Sequence, residues 1–220
     1  MYFNDRMSLG DKLADNLIDI KGTDAIIVSL KQSSMMVSIA MAIKLRAWIL
    51  PLFYEPLVNP LDRTKLLGAL TQNGDFCLHP DITTSEYDYI VQEFMSTIEQ
   101  EKRSAMSRLN KVMNQHHGVT DPHILNGRNV ILVGDVMMHG LELKIAKHMM
   151  KPLRPARVYG MVGNTTIEVS EAFHLSTDQS HVLDILPTSF MGEDHYFEAA
   201  DAYSHDEKQS LAINIAQYWA

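Results

Sequence analysis

The segment Asn129-Val-Ile-Leu-Val-Gly-Asp-Val-Met-Met-His-Gly140 constrains this chain more than any other. It reads as a buried strand, Val130 to Val133, then a short loop that opens a helix from Leu141 to Met150. A unit of this kind belongs to an open α/β sheet. An apolar β-branched run ending in a small turn sets backbone N–H groups and the positive end of a helix dipole at the sheet's carboxyl edge. That edge suits a small phosphorylated ligand, so Asp135, Val136, Met137, Met138, His139 and Gly140 are candidate substrate-binding residues.

The rest of the chain supplies matching elements. Ser8-Leu-Gly-Asp11 has the spacing of a helix-capping box, and Leu9, Leu13, Leu17 and Ile18 then form an apolar stripe that ends near Gly22. Ala25 to Leu30 is a buried-strand pattern, Met35 to Leu45 is helical, and Ala47 to Tyr54 is a second strand interrupted by Pro51. This order predicts a right-handed parallel unit. Leu66 to Leu70 and Phe76 to Leu78 flank Asn73-Gly74, a strong hairpin signal because both turn residues tolerate positive φ.

Tyr87, Ile90, Val91, Phe94, Met95, Ile98, Ala105, Met106, Leu109, Val112 and Met113 fall on one face of a predicted helix from Glu86 to Met113. Its surplus apolar face suits a partner subunit, and a homodimer is expected. After a loop from His116 to Pro122, strands Arg157 to Val162 and His181 to Leu186 alternate with helices Leu141 to Met150 and Glu168 to Phe173. Ser204-His-Asp-Glu207 is another capping box, before a last helix carrying Leu211, Ile213, Ile215 and Trp219. The expected fold is an α/β open twisted, mainly parallel sheet flanked by helices, with a small hairpin hood and one long helix. It forms a single domain over 1–220, with 62–118 as the hairpin and long-helix insertion.

Composition removes several function classes. A net charge of −8 opposes nucleic acid and anionic membranes as partners. The clustered cations Lys102, Arg103, Arg108 and Lys111 are interleaved with Glu99 and Glu101, as on a solvated helix face. No apolar run approaches the roughly 20 residues a membrane span needs, and Met1 to Arg6 does not resemble a secretory signal. The cytoplasm is therefore the expected compartment. The single cysteine, Cys77, lies in a strand pattern and reads as a buried, inert thiol. Ten histidines show no metal-binding spacing, and His116, His117 and His123 have only Asp121 as a nearby acid. Glu193-Asp-His195 reads as a solvated turn, and the pairs Met35-Met36, Met137-Met138 and Met149-Met150 as core filling.

Several stretches together resemble the type I phosphoribosyltransferases, in particular a bacterial family of predicted ones. These are the Gly134-to-Gly140 loop, Phe3-Asn-Asp-Arg6, Leu67-Gly-Ala69, the long Glu-rich helix, Arg128 to Val133 and Tyr196-Phe-Glu198. The resemblance implies a parallel sheet with a small hood, and transfer chemistry on phosphoribosyl pyrophosphate assisted by Mg2+. In that family the loop carries two adjacent acids, a few small residues, then Thr-Gly. The acids hold the ribose hydroxyls directly or through the metal, while loop amides and the Thr hydroxyl hold the 5′-phosphate. Carried over, Asp135 is the catalytic and metal-binding acid, and His139-Gly140 stand for Thr-Gly.

The chain departs from the family pattern at three places. Gly134 replaces the first acid, and His139 replaces a compact hydroxyl with a ring. After the first strand, Gln32-Ser-Ser34, preceded by Lys31, stands where the family has Arg-Gly-Gly, so Lys31, Gln32, Ser33 and Ser34 are the candidate pyrophosphate-side residues. After the second strand, Glu55-Pro56 replaces Arg-Lys and would repel a pyrophosphate. Each candidate also has a purely structural role open to it: a helix N-terminal acid for Asp135, a capping or surface histidine for His139, capping before Met35 for Ser33 and Ser34, and a snorkelling cation for Lys31. The expected protein is phosphoribosyltransferase-like, with weakened or lost transfer activity and a site for a phosphate, nucleotide or ribose phosphate. Two alternatives stand beside it: an active Mg2+-dependent transferase with an unknown acceptor, and a non-enzymatic dimeric scaffold.

Overall fold

The computed structural model describes residues 1–115, 121–187, 192–199 and 203–218. Its first elements are α1 (Arg6–Asp15), β1 (Ile26–Ser29), α2 (Met35–Leu45), β2 (Trp48–Pro51), β3 (Tyr54–Val58), β4 (Leu66–Thr71) and β5 (Phe76–Leu78). The chain continues with α3 (Thr84–Gln115), β6 (Asn129–Met137), α4 (Leu141–Met150), β7 (Arg157–Thr165), α5 (Ile167–Ser176), β8 (Gln179–Ile185) and α6 (His205–Tyr218). Two compact units result: one comprises Met1–Leu52, Asp121–His139 and Ala146–Ala220, the other Phe53–Thr120 and Gly140–Ile145. Predicted His116 and His117 of the loop, and Trp219 of the last helix, lie outside the described residues.

In the first unit a five-stranded sheet runs in the order β2-β1-β6-β7-β8, and every pairing is parallel. The chain winds outward from β1 to β2 on one side and from β6 through β7 to β8 on the other. The strand order therefore reverses between β1 and β6, the point at which open α/β sheets form a crevice beyond their carboxyl ends. Side chains alternate between faces, so Ile27, Ile131, Val133 and Met161 share one core with Leu9 and Leu13 of α1 and Val37 and Met41 of α2. On the opposite parity, Gly160 faces α5, where an added Cβ would come within 2.6 Å of the Phe173 ring.

Several boundaries differ from expectation. The capping box at the first helix uses Asp5, whose carboxylate accepts the Ser8 N–H at 2.6 Å, so α1 begins at Arg6 and Ser8 is its third residue rather than its cap. The helix stops at Asp15, and Ile18–Ile20 form a separate 3-10 turn. Ala47 to Tyr54 divides: Pro51 ends β2, an edge strand where a missing N–H is tolerated, and Tyr54 starts β3 in another sheet. β6 continues four residues past Val133, because Gly134, Val136 and Met137 still pair with Val162, Asn164 and Thr165 of β7.

The second unit holds the antiparallel sheet β3-β4-β5, whose β4–β5 turn places Gly74 at φ 85°. α3 packs on this sheet through Ile90, Ile98 and Ala105, which meet Leu67, Leu57 and Leu70 in two small clusters. Part of the apolar face assigned to a partner subunit is thus covered within the chain. A reciprocal Thr83–Glu86 capping box precedes α3, and the helix breaks its dihedral pattern at Phe94 (φ −125°, ψ 22°). Cys77 is buried in β5, and burial pushes its thiol pKa up, as expected of an unreactive cysteine.

Helices α1 and α2 meet backbone to backbone at Gly10, where a Cβ would lie 2.5 Å from the Val37 carbonyl oxygen and 2.6 Å from the Ala40 Cβ. Gly10→Ala is therefore expected to destabilise the fold by about 1–3 kcal/mol through overpacking, despite the better helix propensity of Ala. Urea unfolding measures this, and an unchanged or raised midpoint would show that the two helices do not need the missing side chain.

Candidate functional site

The period of two along β6 decides where the loop acid goes. Asp135 has the parity of Ile131 and Val133, so its carboxylate lies on the face covered by α1 and α2, with no solvent exposure. There it meets the first residue of α1. Arg6 Nε donates to Asp135 Oδ2 at 2.9 Å, and the Arg6 side chain is 5% exposed. Oδ1 of the same carboxylate accepts from Ser34 Oγ at 2.8 Å and Ser33 Oγ at 3.1 Å, while Ser34 Oγ accepts the Asp135 N–H at 3.0 Å. Both carboxylate oxygens and the amide of Asp135 are thereby engaged.

The turn after β1 is built to serve this acid. Ser34 N–H donates to the Lys31 carbonyl and Met35 N–H to that of Gln32, both at 3.2 Å, which folds residues 31–35 into the start of α2. Ser34 occupies the helix N-cap position, yet its side chain makes no capping bond; the hydroxyl is turned to Asp135 instead. The capping role expected of the two serines is therefore not what their hydroxyls do. Lys31 Nζ donates to the Val136 carbonyl oxygen at 3.1 Å and forms an ion pair with Glu193.

Glu193 belongs to a 3-10 turn, Glu193–Tyr196, that returns to the amino-terminal segment through paired backbone bonds: Phe3 N–H to the Tyr196 carbonyl at 2.9 Å and Glu198 N–H to that of Phe3 at 3.0 Å. The next residue, Asp194, accepts from the second arm of Arg6 at 2.7 Å, and the guanidinium lies 4.3 Å from the centroid of the Phe197 ring. Two cations and three carboxylates thus form one network at the carboxyl end of β1 and along β6. Burial alone would raise the Asp135 pKa, but the charges of Lys31 and Arg6 and the hydrogen bonds from Arg6 and Ser34 outweigh it and hold the carboxyl below its usual range.

The other candidates fall into different roles. Val136 and Met137 are buried strand residues. A Cβ on Gly134 would lie 2.7 Å from Met137 Cγ and 2.9 Å from its sulfur, so the thioether covers the space where the family pattern has its first acid. Met138 packs on the main core, His139 is half-buried, and Gly140 belongs to the second unit. Glu55 lies in β3 and pairs with Arg108 of α3 at 2.6 Å, so its charge is compensated. Gln32 is exposed beside the serines. Among the described residues no group of three or more His, Cys, Asp or Glu side chains is arranged to hold a metal ion. No helix among them is long and apolar enough to cross a membrane.

Three participants were not singled out by sequence reasoning. Arg6 counted only as part of Phe3-Asn-Asp-Arg6, and Glu193 and Asp194 read as solvent-facing. They lie 129 residues or more from their partners in the chain, and the sheet's winding and the Phe3–Phe197 bridge bring them together.

The depressed Asp135 pKa has a defined consequence. Its contribution to stability is complete above the unfolded-state value of about 3.9 and is lost as pH falls below that value. Asp135→Asn leaves the Arg6 charge without its buried partner and is expected to cost about 3–5 kcal/mol at pH 7. It should also flatten the fall in stability below about pH 4, so parallel pH profiles of the urea midpoint for the two proteins would show that another group carries the titration.

No family model matches this chain, and no curated protein matches it. Among solved structures, TT1426 from Thermus thermophilus aligns over 98% of this chain and 100% of its own, with 20% identity and a TM-score of 0.72. A hypoxanthine-guanine phosphoribosyltransferase from Bacillus anthracis aligns over 84% and 79% (15% identity, TM-score 0.42). The hypoxanthine phosphoribosyl transferase of Trypanosoma cruzi aligns over 90% and 87% (14% identity, TM-score 0.46). The first likeness shows that this chain and TT1426 share a fold over their whole lengths.

Proposed function

We propose that this chain is a type I phosphoribosyltransferase-like protein that has lost the transfer reaction and keeps a site for a phosphorylated ligand at the switch point of its parallel sheet. The ordered resemblance from Phe3 to Glu198 supports the family, and the reversal of strand order between β1 and β6 supports the location. The single observation that carries the loss is the commitment of Asp135. A carboxylate that must hold ribose hydroxyls needs free lone pairs facing the substrate, and this one is fully buried with both oxygens bonded to Arg6, Ser33 and Ser34.

The Mg2+ that the family resemblance implies does not fit Asp135 as it stands. A hard cation demands near-octahedral oxygen ligation, whereas the Arg6 guanidinium lies against this carboxylate and would repel a second positive charge. What remains suited to a ligand is cationic: Lys31, 13% exposed at the end of β1, together with the backbone around it.

Incubation with phosphoribosyl pyrophosphate, Mg2+ and a panel of purine and pyrimidine bases is expected to release no pyrophosphate above the uncatalysed rate. Calorimetry with phosphoribosyl pyrophosphate alone is expected to give a saturable heat at millimolar ligand. Enzymatic pyrophosphate release would overturn the loss of transfer, and the absence of any heat would remove the ligand site and favour a scaffold.

A further inference from the structure

We propose that Glu193 and Asp194 are a displaceable internal stand-in for an anionic ligand, holding Lys31 and Arg6 in its place until a phosphoryl anion takes over the two cations. This deepens the reading above, on which the ligand site rests. The two acids are consecutive residues of one 3-10 turn, and each pairs with a different cation of the network, Glu193 with the largely buried Lys31 and Asp194 with the buried Arg6. A short segment thus presents two adjacent negative charges to cations at the crevice where ligands of such sheets bind. A diphosphate or a phosphate ester presents charge in the same way.

The burial of the partners shows which side can leave. The side chains of Arg6 and Lys31 are 5% and 13% exposed, and each has a second fixed partner, Asp135 for Arg6 and the Val136 carbonyl for Lys31. The side chains of Asp194 and Glu193 are 91% and 34% exposed. Withdrawing a carboxylate that already faces water costs little desolvation, whereas withdrawing a buried cation costs several kcal/mol. The acids can turn outward while the Phe3–Phe197 bridge keeps the segment in place. Withdrawal of both acids removes two negative charges from beside Lys31 and Arg6, and an incoming anion restores them. Lys31 offers a point charge, and Arg6 a planar fork suited to phosphoryl oxygens.

The test is calorimetric titration of the full chain with inorganic pyrophosphate, comparing the wild type with Glu193→Gln, Asp194→Asn and Glu198→Gln. Glu198 is an exposed acid of the same segment outside the network, so its variant measures the general effect of removing one charge. If the closed state is held about nine-tenths of the time, freeing the cations tightens apparent affinity about tenfold. That gain is expected in Glu193→Gln and Asp194→Asn and not in Glu198→Gln. Equal affinities in all four proteins, an equal gain in all three variants, or a loss in the first two would overturn the stand-in role. Absence of pyrophosphate binding in every protein would overturn it together with the ligand site, whereas transfer activity in the wild type would fall on the loss-of-transfer reading alone. Unfolding midpoints within the wild-type range confirm that each variant is folded, as expected where the buried Arg6–Asp135 pair is left intact.

Discussion

The buried pair of Arg6 and Asp135 is the interaction on which the carboxyl edge of the sheet depends. An ion pair removed from water gains little net free energy unless its remaining donors and lone pairs are also satisfied. Here two serine hydroxyls complete the carboxylate, and Asp194 and the Phe197 ring receive the rest of the guanidinium. The pair therefore gives geometric definition more than net stability. It fixes the first residue of α1, the first turn of α2, the end of β6 and the 193–197 turn against one another. Shifting the start of α1, the first turn of α2 or the end of β6 would leave the buried charges of Arg6 or Asp135 short of partners.

This tie also explains why β6 is long. A substrate loop needs its amides turned outward, but Val136 and Met137 are apolar and keep pairing with β7, and the Thr165 hydroxyl donates to the Met137 carbonyl at 2.7 Å. At Gly163 the chain accommodates the result, since a Cβ there would meet the Asp135 carbonyl oxygen at 2.6 Å and the Leu9 side chain at 2.8 Å. Backbone that would serve as an anion nest in an open loop is spent on the strand ladder. The short stretch from Met138 to Gly140 is all that separates the strand from α4.

Most of the fold was legible because it rests on local signals. The β-branched runs of β1 and β6, the Asn73-Gly74 turn and the periodic face of α3 each state their own structure. The Ser204–Glu207 capping box forms as written, with the Glu207 carboxylate accepting the Ser204 N–H at 2.8 Å. The misplaced first cap arose because Asp5 and Ser8 satisfy the same spacing as Ser8 and Asp11, and only the onset of α1 separates them. The site was legible in part: Lys31, Ser33, Ser34 and Asp135 do converge, because β1 and β6 are neighbours in a parallel sheet. What could not be read was the other half, Arg6, Glu193 and Asp194, since ion pairs between distant segments leave no periodicity in a sequence. The parity of Asp135 was also hidden, because a loop was expected where the strand continues.

The departures from the transferase pattern are not independent of one another. With Asp135 turned under α1 and α2, hydroxyls at positions 33 and 34 become useful donors in a place where glycines would leave the carboxylate short of partners. With Met137 folded back as a strand residue, position 134 has room for no side chain, which accounts for glycine where an acid would otherwise stand. Glu55, which looks hostile to pyrophosphate in sequence, is neutralised by Arg108, itself shared with Glu101 at 2.8 Å. Each departure is thus the local complement of another within one charge network. Restoring a single family residue, such as an acid at position 134, would set a carboxylate against the Met137 thioether and leave Asp135 committed to Arg6. Turning the Asp135 carboxylate outward accordingly requires the strand end, the two serines and the arginine to change together.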